Sequence, residues 1–249
     1  MNVQLPINKI ILAGFAFAMT HWRKIIEISI VPIILSLPLF SILSTLLEQF
    51  RAMAERLNQI MPSIISGDEA ETSRFVHEFF QSLPEFTALY LLLFSYAQIM
   101  LSINIYRVVI QGESHVNGLV PILDIGKIFK FFILAFFVGV ITNVFTGSVL
   151  QIIIYFLIVP ITLNFVRFAI GESFQLRWGL TLFTQFNLFA IQVILPLSIT
   201  LIFTVIDNSI GLSGVLDMFV RALIFFYWMP ITLALCYQLI ALDNSKQNP

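Results

Sequence analysis

"QIIIYFLIVPITLNFVRFAIGE", residues 151–172, decides the fold. Extended back to Ser148, it carries no charged side chain before Arg167. It therefore approaches the roughly 20 apolar residues that a helix needs to cross a hydrocarbon core. It closes on an arginine, a glycine and a glutamate, and "INIYRVVIQGE" at 103–113 closes the same way. Two readings are open. The pair can be a twofold-repeated site in which Arg107 and Arg167 grip an anion beside Glu113 and Glu172, or it can be the way a helix leaves a membrane.

Composition favours a membrane throughout. Hydrophobic residues make up 59% of the 249 and charged residues 11%, with a mean hydropathy of +0.95; soluble domains carry about a quarter charged residues. The net charge of -1 and the lack of a basic tract argue against a nucleic-acid partner. The single cysteine, Cys236, lies in an apolar run and can form no intramolecular disulfide.

Six apolar runs are long enough to span, near 25–47, 86–110, 128–146, 148–166, 187–206 and 219–242. The third and fourth are joined only by "FTGS" around Gly147, which predicts an antiparallel hairpin. Ahead of the first, "KIILAGFAFAM" has a weak Ala16-x-Ala18 cleavage pattern, but a span follows at once; it reads as an interfacial helix ending at Thr20, His21 and Trp22 rather than a signal peptide. Lys9, Arg23, Lys24, Arg107, Lys127, Lys130, Arg167, Arg177 and Lys246 fall on one side, against Arg51, Arg56, Arg74 and Arg221 on the other. That excess predicts cytoplasmic N- and C-termini.

The whole chain, 1–249, reads as one integral membrane domain with an extracytoplasmic helical insertion at 48–84. In that insertion Phe50, Met53, Leu57, Ile60 and Ile64 recur at helical spacing, and carboxylates such as Glu48, Asp68, Glu69 and Glu71 lie between or beyond them. A second apolar stripe, Phe75 to Leu83, leads to "SLPE", where Ser82 is placed to cap the next helix and Glu85 to complete a capping box.

The even-numbered spans match one another. Asn104 aligns with Asn164 and Arg107 with Arg167, while Phe156 aligns with Phe226 and PITL recurs at 160 and 230. Each odd span has a polar or basic and aromatic prelude: "THWRKIIEI", "GKIFKFFIL" and "FTQFNLFAI". The expected fold is an all-α bundle of three repeated hairpins with interfacial helices.

Chemistry is sparse. An ion-coupled transporter or proton relay would place an ionisable group mid-span, whereas Glu27 and Arg221 lie about one turn inside, within snorkelling reach. Gln98, Asn104, Asn164 and Gln192 are neutral; they can join helices, or line a polar path for a neutral solute. Three histidines and one cysteine offer no metal-binding motif, and there is no catalytic serine motif or phosphate-cradling glycine loop. No catalytic residue, metal or cofactor is expected. Arg107, Arg167, Arg177, Glu113 and Glu172 form the one charged set that can hold a lipid headgroup or other anion. Topology alone also accounts for them, since cations suit a cytoplasmic helix C-terminus and Gly112 and Gly171 suit the left-handed residue that ends a helix.

The spans, the acidic outer loop and the ends "YRVVIQGE" and "VRFAIGE" resemble bacterial YciC-like inner-membrane proteins and the membrane domain attached to some glycerophosphodiester phosphodiesterases. The phosphodiesterase barrel of the latter is absent from this sequence, so no such activity carries over. The resemblance implies a multi-pass protein of the bacterial inner membrane. The expected role is a non-enzymatic accessory or envelope-organising component with membrane lipids, a protein partner or a second copy as its associates. A small transporter or permease subunit is the alternative.

Overall fold

Six helices are long and apolar enough to cross a bilayer: Trp22–Ser41, Thr87–Gln111, Ile125–Thr142, Leu150–Ile170, Leu182–Ile210 and Leu216–Asp243. They come from a computed structural model that describes residues 5–67, 69–143, 149–176, 179–210 and 214–247. Among those residues there is no strand, and the chain is an all-helical, multi-pass membrane protein. Its spans leave Leu150, Ile152, Ile153, Leu157, Leu197 and Leu201 exposed, an apolar surface that hydrocarbon solvates and water does not.

The helices in chain order are α1 (Ile7–Thr20), α2 (Trp22–Ser41), α3 (Leu43–Ile65), α4 (Glu69–Ser82), α5 (Thr87–Gln111), α6 (Ile125–Asn143), α7 (Val149–Ile158), α8 (Leu163–Ile170), α9 (Leu182–Phe189), α10 (Leu195–Ile210), α11 (Val215–Leu223) and α12 (Met229–Gln247). Helix α6 packs on both α7 and α8, as a hairpin requires; the turn expected at "FTGS" lies outside the described residues, as do Asp68 and Arg177.

Proline sets the pitch of three spans. A proline removes one helical hydrogen bond and crowds the carbonyl four residues back, which favours a tightened, widened or kinked turn there, although Pro32 and Pro38 lie within an unbroken α2. At Pro160 the span tightens into a 3₁₀ turn, Val159–Thr162, between α7 and α8. Before Pro196 and Pro230 it widens into π turns, Ala190–Ile194 between α9 and α10 and Ile224–Trp228 between α11 and α12. The widened turns contain Gln192 and Phe226, the residues four before each proline.

The polar and aromatic preludes are built differently from one repeat to the next. Only the first is preceded by a separate helix, α1, which hands over to α2 at His21. The others, at Gly126 and Phe183, are the opening turns of their own spans, so span five begins at Leu182 rather than near 187. Helix α1 has 14 residues, about 21 Å at 1.5 Å per residue and too short to span. It packs on α12 and the π turn ahead of it, where Gly14 lies against Thr232 and Trp228.

The chain divides into two compact units, Met1–Val31 with Gln98–Pro249, and Pro32–Ala97. The core of the first joins Ile103 and Tyr106 of α5 to Phe131, Leu163, Val166 and Ile240. A second cluster joins Ile28, Ile105, Val116 and Ile231.

In the second unit, α3 and α4 form an amphipathic hairpin, with Phe50 and Phe79 ring to ring at 5.7 Å. Glu78 pairs with Arg56 and with Arg74. Ser82 closes α4 rather than capping α5: its hydroxyl donates to Phe79 O at 2.8 Å. Helix α5 begins only at Thr87, after Phe86 takes a positive φ of 63.

Candidate functional site

The second hairpin ends in a connected polar group. Gly171 adopts φ 89 and ψ 14, the left-handed geometry that a side chain disfavours by about 1–2 kcal/mol. Glu172 N–H then donates to Arg167 O at 2.8 Å and Gly171 N–H to Phe168 O at 3.3 Å, the paired bonds of a Schellman ending. That turn brings Glu172 back over its own helix, where Arg167 Nη2 lies 3.1 Å from Glu172 Oε2. Arg167 Nη1 also donates to Gln175 Oε1.

Asn164, fully buried, fixes the rest of the connector. Its Nδ2 donates to Gln175 O at 2.9 Å and to Ile161 O at 2.9 Å, while its Oδ1 accepts from Gln175 N–H at 2.8 Å. A side-chain amide paired with the N–H and the C=O of one residue satisfies backbone groups that no helix reaches. Asn164 thus holds the connector to α8.

A second helix, α12, enters the same group. Tyr237 donates its hydroxyl proton to Glu172 Oε2 at 3.0 Å. Tyr237 follows Pro230 by the same interval that separates Arg167 from Pro160, so PITL continued along the chain pairs the two positions. Extending the repeat beyond PITL would have found it.

The first hairpin end has the same residue types and different partners. Arg107 Nη2 donates to His115 O at 3.2 Å, and its Nε to Gln111 Oε1 at 3.4 Å. Glu113 pairs instead with His21 Nδ1 at 2.5 Å, a contact between chain-distant residues that spacing cannot reveal. Gly112, at φ 90 and ψ 166, leads into a 3₁₀ turn at Glu113–His115 rather than a Schellman ending. The following connector lies on α2. Gly118 N–H donates to Glu27 Oε1 at 3.1 Å, and a Cβ at Gly118 would stand 2.7 Å from the Ile28 backbone. Glu27 also accepts from Lys24 Nζ at 2.8 Å.

The neutral candidates divide. Gln192, in the π turn before Pro196, donates to Thr232 Oγ1 at 2.9 Å, joining spans five and six. Asn164 is engaged with the connector. Asn104 Nδ2 and Gln98 Oε1 are buried without a hydrogen-bond partner. Asn164 and Gln192 thus serve separate contacts and share no partner.

At the far end of spans five and six, buried Asp207 accepts from Gly214 N–H at 2.6 Å and Leu216 N–H at 3.1 Å, satisfying the first turn of α11. Asp217 accepts from Thr204 Oγ1 at 2.8 Å and from Arg221 Nε at 2.7 Å. Arg221 is therefore paired, beyond the snorkelling its position suggests. No protein-family model, curated protein or solved structure matches this chain.

Proposed function

We propose that this chain is a non-enzymatic protein of a bacterial inner membrane, with both termini in the cytoplasm and the α3–α4 hairpin outside. It acts as an accessory or envelope-organising component through lipid or protein partners. On this reading it stands alongside the YciC-like proteins and the membrane domain of some glycerophosphodiester phosphodiesterases. The observation that carries the proposal is that Asn164 and Gln192, two of the four neutral residues able to line a solute path, and the charged group at the end of the second hairpin are engaged within the protein, whereas Gln98 and Asn104 each keep one unpaired atom. Arg167 and Tyr237 each pair with Glu172, Asn164 with Gln175, and Gln192 with Thr232. Groups spent on joining helices support a scaffold, whereas a solute path needs groups left to exchange partners with its cargo. Cross-linking followed by native mass spectrometry of gently solubilised protein tests the proposal. A single stoichiometric partner or a selectively retained lipid is expected, and solute flux through liposomes holding this chain alone would overturn it.

A further inference from the structure

Asn104 with Arg107, and Asn164 with Arg167, are matched pairs, each three residues apart and so on one face of its helix. The second pair is filled by the protein itself, by the Glu172 carboxylate and the Gln175 peptide. The first is not. Asn104 is 2% exposed and its Nδ2 has no hydrogen-bond partner, although leaving a buried donor unpaired is costly. Among the described residues Arg107 has no carboxylate partner; it reaches only the neutral oxygens of His115 and Gln111, at 3.2 and 3.4 Å. Charge-assisted bonds are ordinarily nearer 2.7–2.9 Å. Glu113, in the place of Glu172, is held by His21.

We propose that Asn104 and Arg107 bind a phosphate oxyanion from outside the chain, supplying the acceptors that the second pair draws from Glu172 and Gln175. The inference rests on the reading of this protein as one with lipid partners and names the headgroup chemistry. One phosphate oxygen replaces the His115 carbonyl on the Arg107 guanidinium, and a second accepts from Asn104 Nδ2. Phosphate suits the pair because it offers several acceptors on one atom and a charge to meet the guanidinium. A lipid phosphodiester and free phosphate share that chemistry.

The full chain is tested in nanodiscs of phosphatidylglycerol and phosphatidylcholine, with retained lipid counted by native mass spectrometry. In a second arm it is melted in lipid-free detergent with and without inorganic phosphate. The variants are Arg107→Gln, Asn104→Ala and Gln111→Glu. Gln111 is exposed at the last residue of α5, so Gln111→Glu leaves the core intact while giving Arg107 an internal counter-ion. Selective retention of phosphatidylglycerol that falls about tenfold or more in the variants supports a lipid phosphodiester site. A phosphate-dependent rise in melting temperature that only the wild type shows, without lipid selectivity, supports a site for free phosphate and removes the lipid-partner reading. Selective retention unchanged by all three variants overturns the site and leaves that reading standing. If neither probe separates wild type from Gln111→Glu, the site is overturned.

Discussion

Arg167 and Tyr237 meet at one atom: both reach Oε2 of Glu172, at 3.1 and 3.0 Å. They come from equivalent places in two copies of the repeated span, so one carboxylate joins two copies at their common end. The Arg167 side chain is 18% exposed and that of Glu172 44%, and bonds to charged groups contribute about 1.5–3 kcal/mol against about 1 for neutral ones. Glu172→Gln is therefore expected to lower unfolding stability in detergent by about 2 kcal/mol, and Tyr237→Phe by about 1 kcal/mol. In a Glu172→Ala background the Tyr237→Phe effect should shrink toward zero. A full Tyr237→Phe effect in that background would mean that the two side chains act independently.

The matched asparagines should respond oppositely to one substitution. Asn164→Ala leaves the N–H and C=O of Gln175 without the amide that now pairs them, at an expected loss of about 3 kcal/mol. Asn104→Ala removes a donor that has no partner. In lipid-free detergent without phosphate it should change stability by less than about 0.5 kcal/mol or raise it. Equal losses measured by chemical unfolding would refute the difference between the two hairpin ends.

The spans were legible because about 20 apolar residues have few soluble alternatives. Pro160, Pro196 and Pro230 lie where spans change pitch, but Pro32 and Pro38 lie within an unbroken α2, so proline alone does not disclose the change. Helix ends were legible at Gly171, where the glycine, the arginine before it and the carboxylate after it all agree with one ending. Helix α5 also ends ahead of its glycine, at Gln111, but at Gly112 a ψ of 166 carries the chain into a 3₁₀ turn, and Glu113 pairs with His21 rather than with the arginine before it. Asn164 looked like one member of a polar path, since a lone amide in an apolar run does not disclose its partner. That partner is a peptide in the following connector, with no side-chain signature. Ser82 misled for a related reason: the hydroxyl that can cap a following helix can equally close the preceding one, and Phe79 O is nearer in sequence.

Two glycines separate steric from conformational demands. Gly118 has no room, since an added Cβ would lie 2.7 Å from the Ile28 backbone. Gly171 has no neighbour within 4 Å of such a Cβ but holds a left-handed φ of 89. Gly118→Ala should cost about 1–3 kcal/mol and raise amide exchange through 112–124 by releasing the Glu27 bond. Gly171→Ala should cost about 1–2 kcal/mol and leave exchange in 112–124 unchanged. Protection of 112–124 that survives Gly118→Ala would show that the connector is not seated on α2.

Orientation can be read with thiols, because the one native cysteine, Cys236, is fully buried and should be silent to a membrane-impermeant maleimide. No cysteine-free background is then needed. Asn58 on α3 and Ser114 in the first connector are both exposed, and the cation distribution assigns them to opposite sides. In intact cells Asn58→Cys should label directly, whereas Ser114→Cys should label only after the inner membrane is permeabilised. The inverse pattern would put the termini outside and the Arg107 and Arg167 ends away from the cytoplasmic leaflet. Labelling of both variants in intact cells would place both positions on the outer side, breaking the six-span path between the termini.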